Sequence, residues 1–204
     1  MNRSNRSRAA MAGVSLALAS TAVMAHPGHD AATVGASLWA GLLHPFTGMD
    51  HLLAMAGVGV WSALGANSPR ETLRMPFAFV ALMLAGAALG LCGLALPLVE
   101  PMIAASLVAI GLLVALRARL PAWAGMAIAG GFAVFHGYAH GAELPATAGA
   151  LPAALAYVGG FTVATMALHL SGIGLGAALR RQAGWLARVA GAGVALYGVG
   201  LMVA

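Results

Sequence analysis

Two short stretches hold the residues able to do chemistry. One reads His44-Pro45-Phe46-Thr47-Gly48-Met49-Asp50-His51, the other Phe135-His136-Gly137-Tyr138-Ala139-His140-Gly141-Ala142-Glu143. Both lie in strongly apolar surroundings. There a charged group costs roughly 2.5–3.5 kcal/mol on membrane-insertion scales and persists only where it faces a partner, a cavity or an ion. His136 and His140 are four apart and Glu143 three further on, so on a helix they share nearly one face. Imidazoles with carboxylates and no thiolate make a borderline-hard donor set that suits nickel, cobalt or zinc better than copper(I), without ranking the first three. His44, Asp50, His51, His136, His140 and Glu143 are therefore the candidate ligands of one metal site. The competing reading is a hydrogen-bonded polar core tying two helices together. The number of clustered groups, beside a proline and a glycine that should break a helix, weighs against it.

Three further sets of residues bear on the same chemistry. His26-Pro27-Gly28-His29-Asp30 would become a new N-terminus if a leader were removed after Ala25. Its free amine and the His26 imidazole would then chelate one ion, with His29 or Asp30 nearby, unless the segment is simply a polar tail. His169, followed by Ser171 and Gly172, is either a second, inner metal stop or an interhelical hydrogen bond. Met49 and Met55 flank the aspartate–histidine pair and read first as apolar filler, second as soft ligands. Glu100 reads as a solvated loop residue.

The elements that must position these groups are membrane helices. Hydrophobic residues make up 61% of the 204, charged residues 7%, and the mean hydropathy is +0.92; soluble domains carry about 25% charged residues. The net charge of +5 comes wholly from arginine and forms no patch interleaved with aromatics, so nucleic acid is not a predicted partner. The single cysteine, Cys92, excludes a disulfide framework and a thiolate cluster, and its apolar surroundings predict burial.

The N-terminus has Arg3, Arg6 and Arg8, then an apolar run, then Ala22-Val23-Met24-Ala25, which predicts a signal peptide over residues 1–25. A periplasmic histidine-containing segment over 26–33 and a transport domain over 34–204 follow. The fold class predicted is all-α: a polytopic bundle of six transmembrane helices near Gly48–Ala66, Pro76–Leu96, Met102–Leu116, Ala122–Ala142, Ala153–Gly174 and Leu186–Val203. Val34–Leu43 is too short to cross. It predicts either a re-entrant or interfacial helix before the first span, or the front half of one broken helix. Arg70, Arg74, Arg117, Arg119, Arg180, Arg181 and Arg188 fall in alternate loops, which the positive-inside rule makes cytoplasmic. Both mature termini are then periplasmic, and both polar stretches lie near the outer face at similar depth. Trp39, Trp61, Trp123 and Trp185 sit near span ends and read as interfacial anchors.

Enzymatic readings fare poorly. There is no phosphate-binding G-x-x-x-x-G-K-[ST] loop and no H-E-x-x-H. Seven histidines are too few for a membrane di-metal oxygenase, and Ser171, two residues from His169 at about 100° per residue, points to the other side of a helix. A non-transporting metal-binding anchor stays open as a rival to a permease.

At His44-Pro-Phe-Thr-Gly-Met-Asp-His51-Leu-Leu-Ala-Met55, together with Phe135-His-Gly-Tyr-Ala-His-Gly-Ala-Glu143, the chain resembles the HupE/UreJ family. The likeness covers essentially the whole chain, and the paired motifs are far more specific than either alone. The resemblance implies a bacterial inner-membrane permease moving Ni2+ for hydrogenase or urease, with cobalt or another divalent ion as the alternative. It implies no prosthetic group, and intracellular nickel chaperones as partners. A separate nickel/cobalt transporter family spaces its histidine and aspartate by four residues. Five lie between His44 and Asp50 here, so that family is not assigned.

Overall fold

The structure is a computed structural model and describes residues 33–144, 151–181 and 184–204. The expected signal peptide and the His26, His29 and Asp30 capture segment lie outside the described residues. Within them all regular structure is helical: α1 Val34–Thr47, α2 Met49–Gly65, α3 Pro69–Leu91, α4 Val99–Ala115, α5 Ala122–Ala142, α6 Leu151–Arg181 and α7 Trp185–Val203. Three of these, α3, α6 and α7, are long and apolar enough to cross a membrane, and α4 is a shorter apolar helix. The six expected stretches overlap α2 to α7 in position, Pro76–Leu96 only in part. Large apolar side chains such as Phe77, Val163, Leu196 and Val203 stand exposed on the outer surface, as lipid contact demands.

The first helical segment is broken, as its proline and glycine predict, but at the glycine end. Thr33 caps α1 by accepting from the Ala36 amide at 3.2 Å. Pro45 is absorbed inside α1 and buried. The helix stops at Thr47, whose hydroxyl donates back to the His44 carbonyl at 2.7 Å, and Gly48 takes an extended conformation before α2 restarts. A Cβ on Gly48 would stand 2.8 Å from Asp50 Oδ1 and 3.2 Å from His51 Nδ1. The glycine lets those two side chains fold back over the break.

The start of α3 differs from expectation by a full two turns. Ser68 accepts from the Glu71 amide at 3.3 Å, Pro69 occupies the first helical position, and Glu71 accepts from the Asn67 amide at 2.9 Å. This reciprocal cap outweighs Pro76, which is carried inside the helix and buried. The helix closes on Gly93, at φ 70°, with Gly93 N–H to Gly90 O at 2.9 Å and Leu94 N–H to Leu89 O at 3.2 Å. Cys92 sits in this cap and is exposed, not buried as its neighbours suggested.

Helix α2 packs against each of the other six and forms the centre of the bundle. Ala54, Met55, Val58, Trp61 and Leu64 are all buried. Trp61, expected as an interfacial anchor, is 1% exposed and donates its indole N–H to the Ala118 carbonyl at 2.9 Å; Trp39, Trp123 and Trp185 do face outward. Several helix pairs press backbone to backbone through small residues, and two of these pairs carry the histidines of α2, α5 and α6. On the α3–α5 pair a Cβ at Gly137 would overlap the Met83 carbonyl, and one at Gly141 the Ala87 carbonyl. On the α2–α6 pair a Cβ at Gly59 would overlap the His169 carbonyl, and one at Gly172 the Ala56 carbonyl. Such contacts replace the missing hydrophobic drive between helices in lipid. They also fix how far the histidines on these helices stand from one another.

Candidate metal centre

Asp50 lies in the first turn of α2, where the helix N-terminus favours negative charge. Its Oδ1 is 3.0 Å from His51 Nδ1. His51 Nε2 in turn lies 2.8 Å from His140 Nε2, across from α2 to α5. With neutral rings the protons can be assigned in sequence. His51 donates Nδ1–H to the carboxylate, so its Nε2 is an acceptor. His140 must then donate Nε2–H to it, which leaves the lone pair of His140 on Nδ1. That atom is buried and has no partner.

One turn earlier on α5, His136 repeats the pattern. Its Nε2 is 3.0 Å from Ser106 Oγ on α4, and Ser106 gives its single hydroxyl proton to the Ile103 carbonyl at 2.6 Å. His136 therefore donates Nε2–H, and its Nδ1 lone pair is likewise buried and unpartnered. Buried polar atoms without partners are uncommon in folded proteins. Here two of them are lone pairs on imidazole, the form that binds a metal ion.

His44 closes the group from the end of α1. Its ring centre is 4.5 Å from that of His140 and 5.8 Å from that of His51, while His51 and His136 are 5.1 Å apart. Phe161 of α6 packs on His140 at 4.2 Å and Tyr157 lies 5.9 Å from His44, so aromatic rings wall the cluster. Three separate stretches of chain thus bring four imidazoles and one carboxylate together.

The rings are arranged to hold each other. Among the described residues no group of three or more His, Cys, Asp or Glu side chains is spaced to hold a metal ion as the side chains stand. With metal–nitrogen bonds of about 2.1 Å, two adjacent ligand nitrogens stand about 3 Å apart. To admit an ion between them, the proton in the 2.8 Å His51–His140 contact would have to move away and both rings would have to turn their Nε2 lone pairs toward the ion.

The remaining candidates fall elsewhere. Glu143 caps the C-terminus of α5 and is exposed, with no hydrogen bond to the histidines. Partial burial and the nearby Glu100 carboxylate hold its carboxyl above the usual range, with His51 pulling weakly the other way. Met49 is exposed, and Met55 is buried deeper, next to His169. His169 is fully buried on α6, apart from the cluster of His44, His51, His136 and His140, with Phe79 between it and His136. Sequence reasoning missed Ser106 and Phe161. Ser106 was visible as the lone hydroxyl of an otherwise apolar helix, whereas Phe161 carried no signal.

A family model described as HupE / UreJ protein matches residues 14–201. Protein HupE of Rhizobium leguminosarum bv. viciae is 46% identical over 166 residues, covering 80% of this chain and 83% of that protein. No solved structure matches the chain. The two motifs that converge in space lie inside the matched region, and the chain belongs to the HupE/UreJ family.

Proposed function

We propose that the chain is a nickel permease of the bacterial inner membrane that supplies metal for hydrogenase or urease maturation, with cobalt as the alternative cargo. HupE/UreJ proteins are permeases, not enzymes, associated with nickel uptake for those two systems. The observation that carries the reading is the meeting of His44, Asp50 and His51 with His136 and His140, where two imidazole lone pairs stand buried without partners.

In this reading α2 to α7 cross the bilayer and α1 lies re-entrant or interfacial, its Ser37, Gly41 and Pro45 side buried and its Trp39 and Leu43 side exposed. The arginine-bearing ends face the cytoplasm and both mature termini the periplasm. His26, His29 and Asp30 collect Ni2+ outside, and Glu143 stands at the mouth. His140 then moves its proton from Nε2 to Nδ1, and the ion is held by the freed nitrogen lone pairs with Asp50 supplying charge. The break at Gly48 lets α1 and α2 shift against each other as the site exchanges access. His169 is a later stop. Release requires that not all the ligands bind at once. No phosphate-binding loop is present, so the drive comes from the membrane potential, an ion gradient or capture by intracellular nickel chaperones.

The test is radiolabelled nickel flux into proteoliposomes holding the full chain and its Asp50→Asn variant, which keeps shape and removes charge. Flux in the wild type and loss in the variant are expected. Binding without flux would make the chain an anchor, and wild-type flux in the variant would end the site assignment.

A further inference from the structure

Below the outer histidines, α6 carries Thr165 and His169 four residues apart on one face, continuing the line of Phe161. At 1.5 Å per residue His169 lies about 12 Å along the axis from Phe161. Both Thr165 and His169 are fully buried. Thr165 does not use the usual outlet of a helical hydroxyl. Thr162 and Ser171 on the same helix donate to the carbonyls of Val158 and Ala167, four residues back. Thr165 instead points across the bundle, 3.3 Å from Met55 Sδ and 3.8 Å from Met83 Sδ.

His169 completes the group. Its Nδ1–H donates to the Met55 carbonyl at 2.8 Å, so Nε2 carries the lone pair, and that atom is buried without a partner. Met55 and Met83 are at most 1% exposed. Phe79, also fully buried, stands between this group and the outer one, its ring 4.9 Å from His169 and 5.9 Å from His136. An apolar core needs neither the unpartnered nitrogen nor the hydroxyl turned onto sulfur.

We propose that Met55, Met83, Thr165 and His169 form a second, sulfur-containing metal station deeper in the bundle, separated from the outer cluster by Phe79. Two thioethers, an imidazole and a hydroxyl make a neutral, softer donor set than the outer one. Such a set holds a borderline divalent cation loosely, because it lacks the carboxylate charge that Asp50 gives the outer cluster. Weak, successive holding is what conduction needs. That the cation is Ni2+ rests on the permease reading above.

The test uses the full chain in lipid nanodiscs with nickel chloride, read by X-ray absorption at the nickel edge, and the same chain in proteoliposomes, read by nickel flux. A sulfur shell is expected in the wild type at excess nickel, and it should vanish in Met55→Leu/Met83→Leu, which keeps the apolar bulk. Flux in that variant should fall by about tenfold or more while nickel binding at the outer cluster persists. Thr165→Ser should retain flux and Thr165→Val lower it. No sulfur shell in the wild type would overturn the proposal without needing any variant. Wild-type flux in the double variant, with flux lost in Asp50→Asn, would overturn the inner station and leave the permease reading standing. Wild-type flux in Asp50→Asn would instead remove the permease site.

Discussion

His51 and His140 meet nitrogen to nitrogen at 2.8 Å although 89 residues separate them in the chain. The contact is one link in a proton chain that starts at Asp50 and ends on the unpartnered lone pair of His140 Nδ1. Residues linked this way act as a unit. His51→Gln and His140→Gln should each cut nickel uptake by about 100-fold, a loss typical of removing a central group. The double variant should lose little more, because either single change already breaks the pair. Uptake kinetics on the four proteins measure the coupling; additive losses would mean that the two rings work separately.

His136 is held by Ser106, which accepts the Nε2 proton only because its own goes to Ile103. Ser106→Ala removes the acceptor and leaves a buried N–H unsatisfied, at a cost of about 1–3 kcal/mol. It also frees the ring to swap tautomers, so the lone pair no longer sits reliably on Nδ1. Uptake should fall with little change in expression or folding, and Ser106→Thr should restore part of it. Thermal unfolding in detergent and nickel uptake together separate the two effects.

Acid should suppress uptake. Each histidine must be neutral to offer a lone pair, and protonation adds positive charge beside a dipositive ion. Uptake should therefore fall as the outside is acidified, and should recover when the pH is restored. At the mouth the sign is separable. Partial burial and, after it, the Glu100 carboxylate raise the Glu143 carboxyl. Glu100→Gln removes the second of these causes, so Glu143 should ionise at lower pH than in the wild type. Infrared titration of the carboxyl band, with Glu143→Gln as the reference, reads that shift.

The outer cluster was legible in the sequence because polar residues are conspicuous in an apolar chain and the i, i+4 spacing of His136 and His140 fixes a shared face. The break before α2 was legible for the same reason, from Pro45 and Gly48, though only the backbone decided that Gly48 yields first. Glu143 was grouped with the histidines by spacing; it is the C-cap of α5, still with helical dihedrals, but stands exposed and makes no hydrogen bond to them. The start of α3 differs because the expected span followed the apolar run from Pro76, whereas the helix begins in the polar stretch before it. The Ser68–Glu71 cap two turns earlier carried the real signal, and an interior proline is tolerated when neighbouring helices cover it. Trp61 was misjudged because tryptophan near a span end usually seeks the interface. Here its indole N–H finds the Ala118 carbonyl inside the bundle. Thr165, Met55 and Met83 come from three different helices, and nothing in one dimension announces such a meeting.

The position of the α5 histidines depends on how closely α5 approaches α3, and Gly137 sets that distance. A methyl group there would overlap the Met83 carbonyl oxygen, which is backbone and cannot rotate away. Gly137→Ala must therefore push the helices apart, at a cost of about 1–3 kcal/mol or more. His136 and His140 flank this residue on the same helix, so the same displacement should lengthen the His51–His140 contact and lower uptake. Gly131 on the same helix supplies the control, because a Cβ there meets nothing within 4 Å. Gly131→Ala should leave uptake unchanged and stability equal or slightly higher, since alanine favours the helix by about 1 kcal/mol. Thermal unfolding and nickel uptake on the two variants should diverge. Equal behaviour would mean that the α3–α5 contact does not position the cluster.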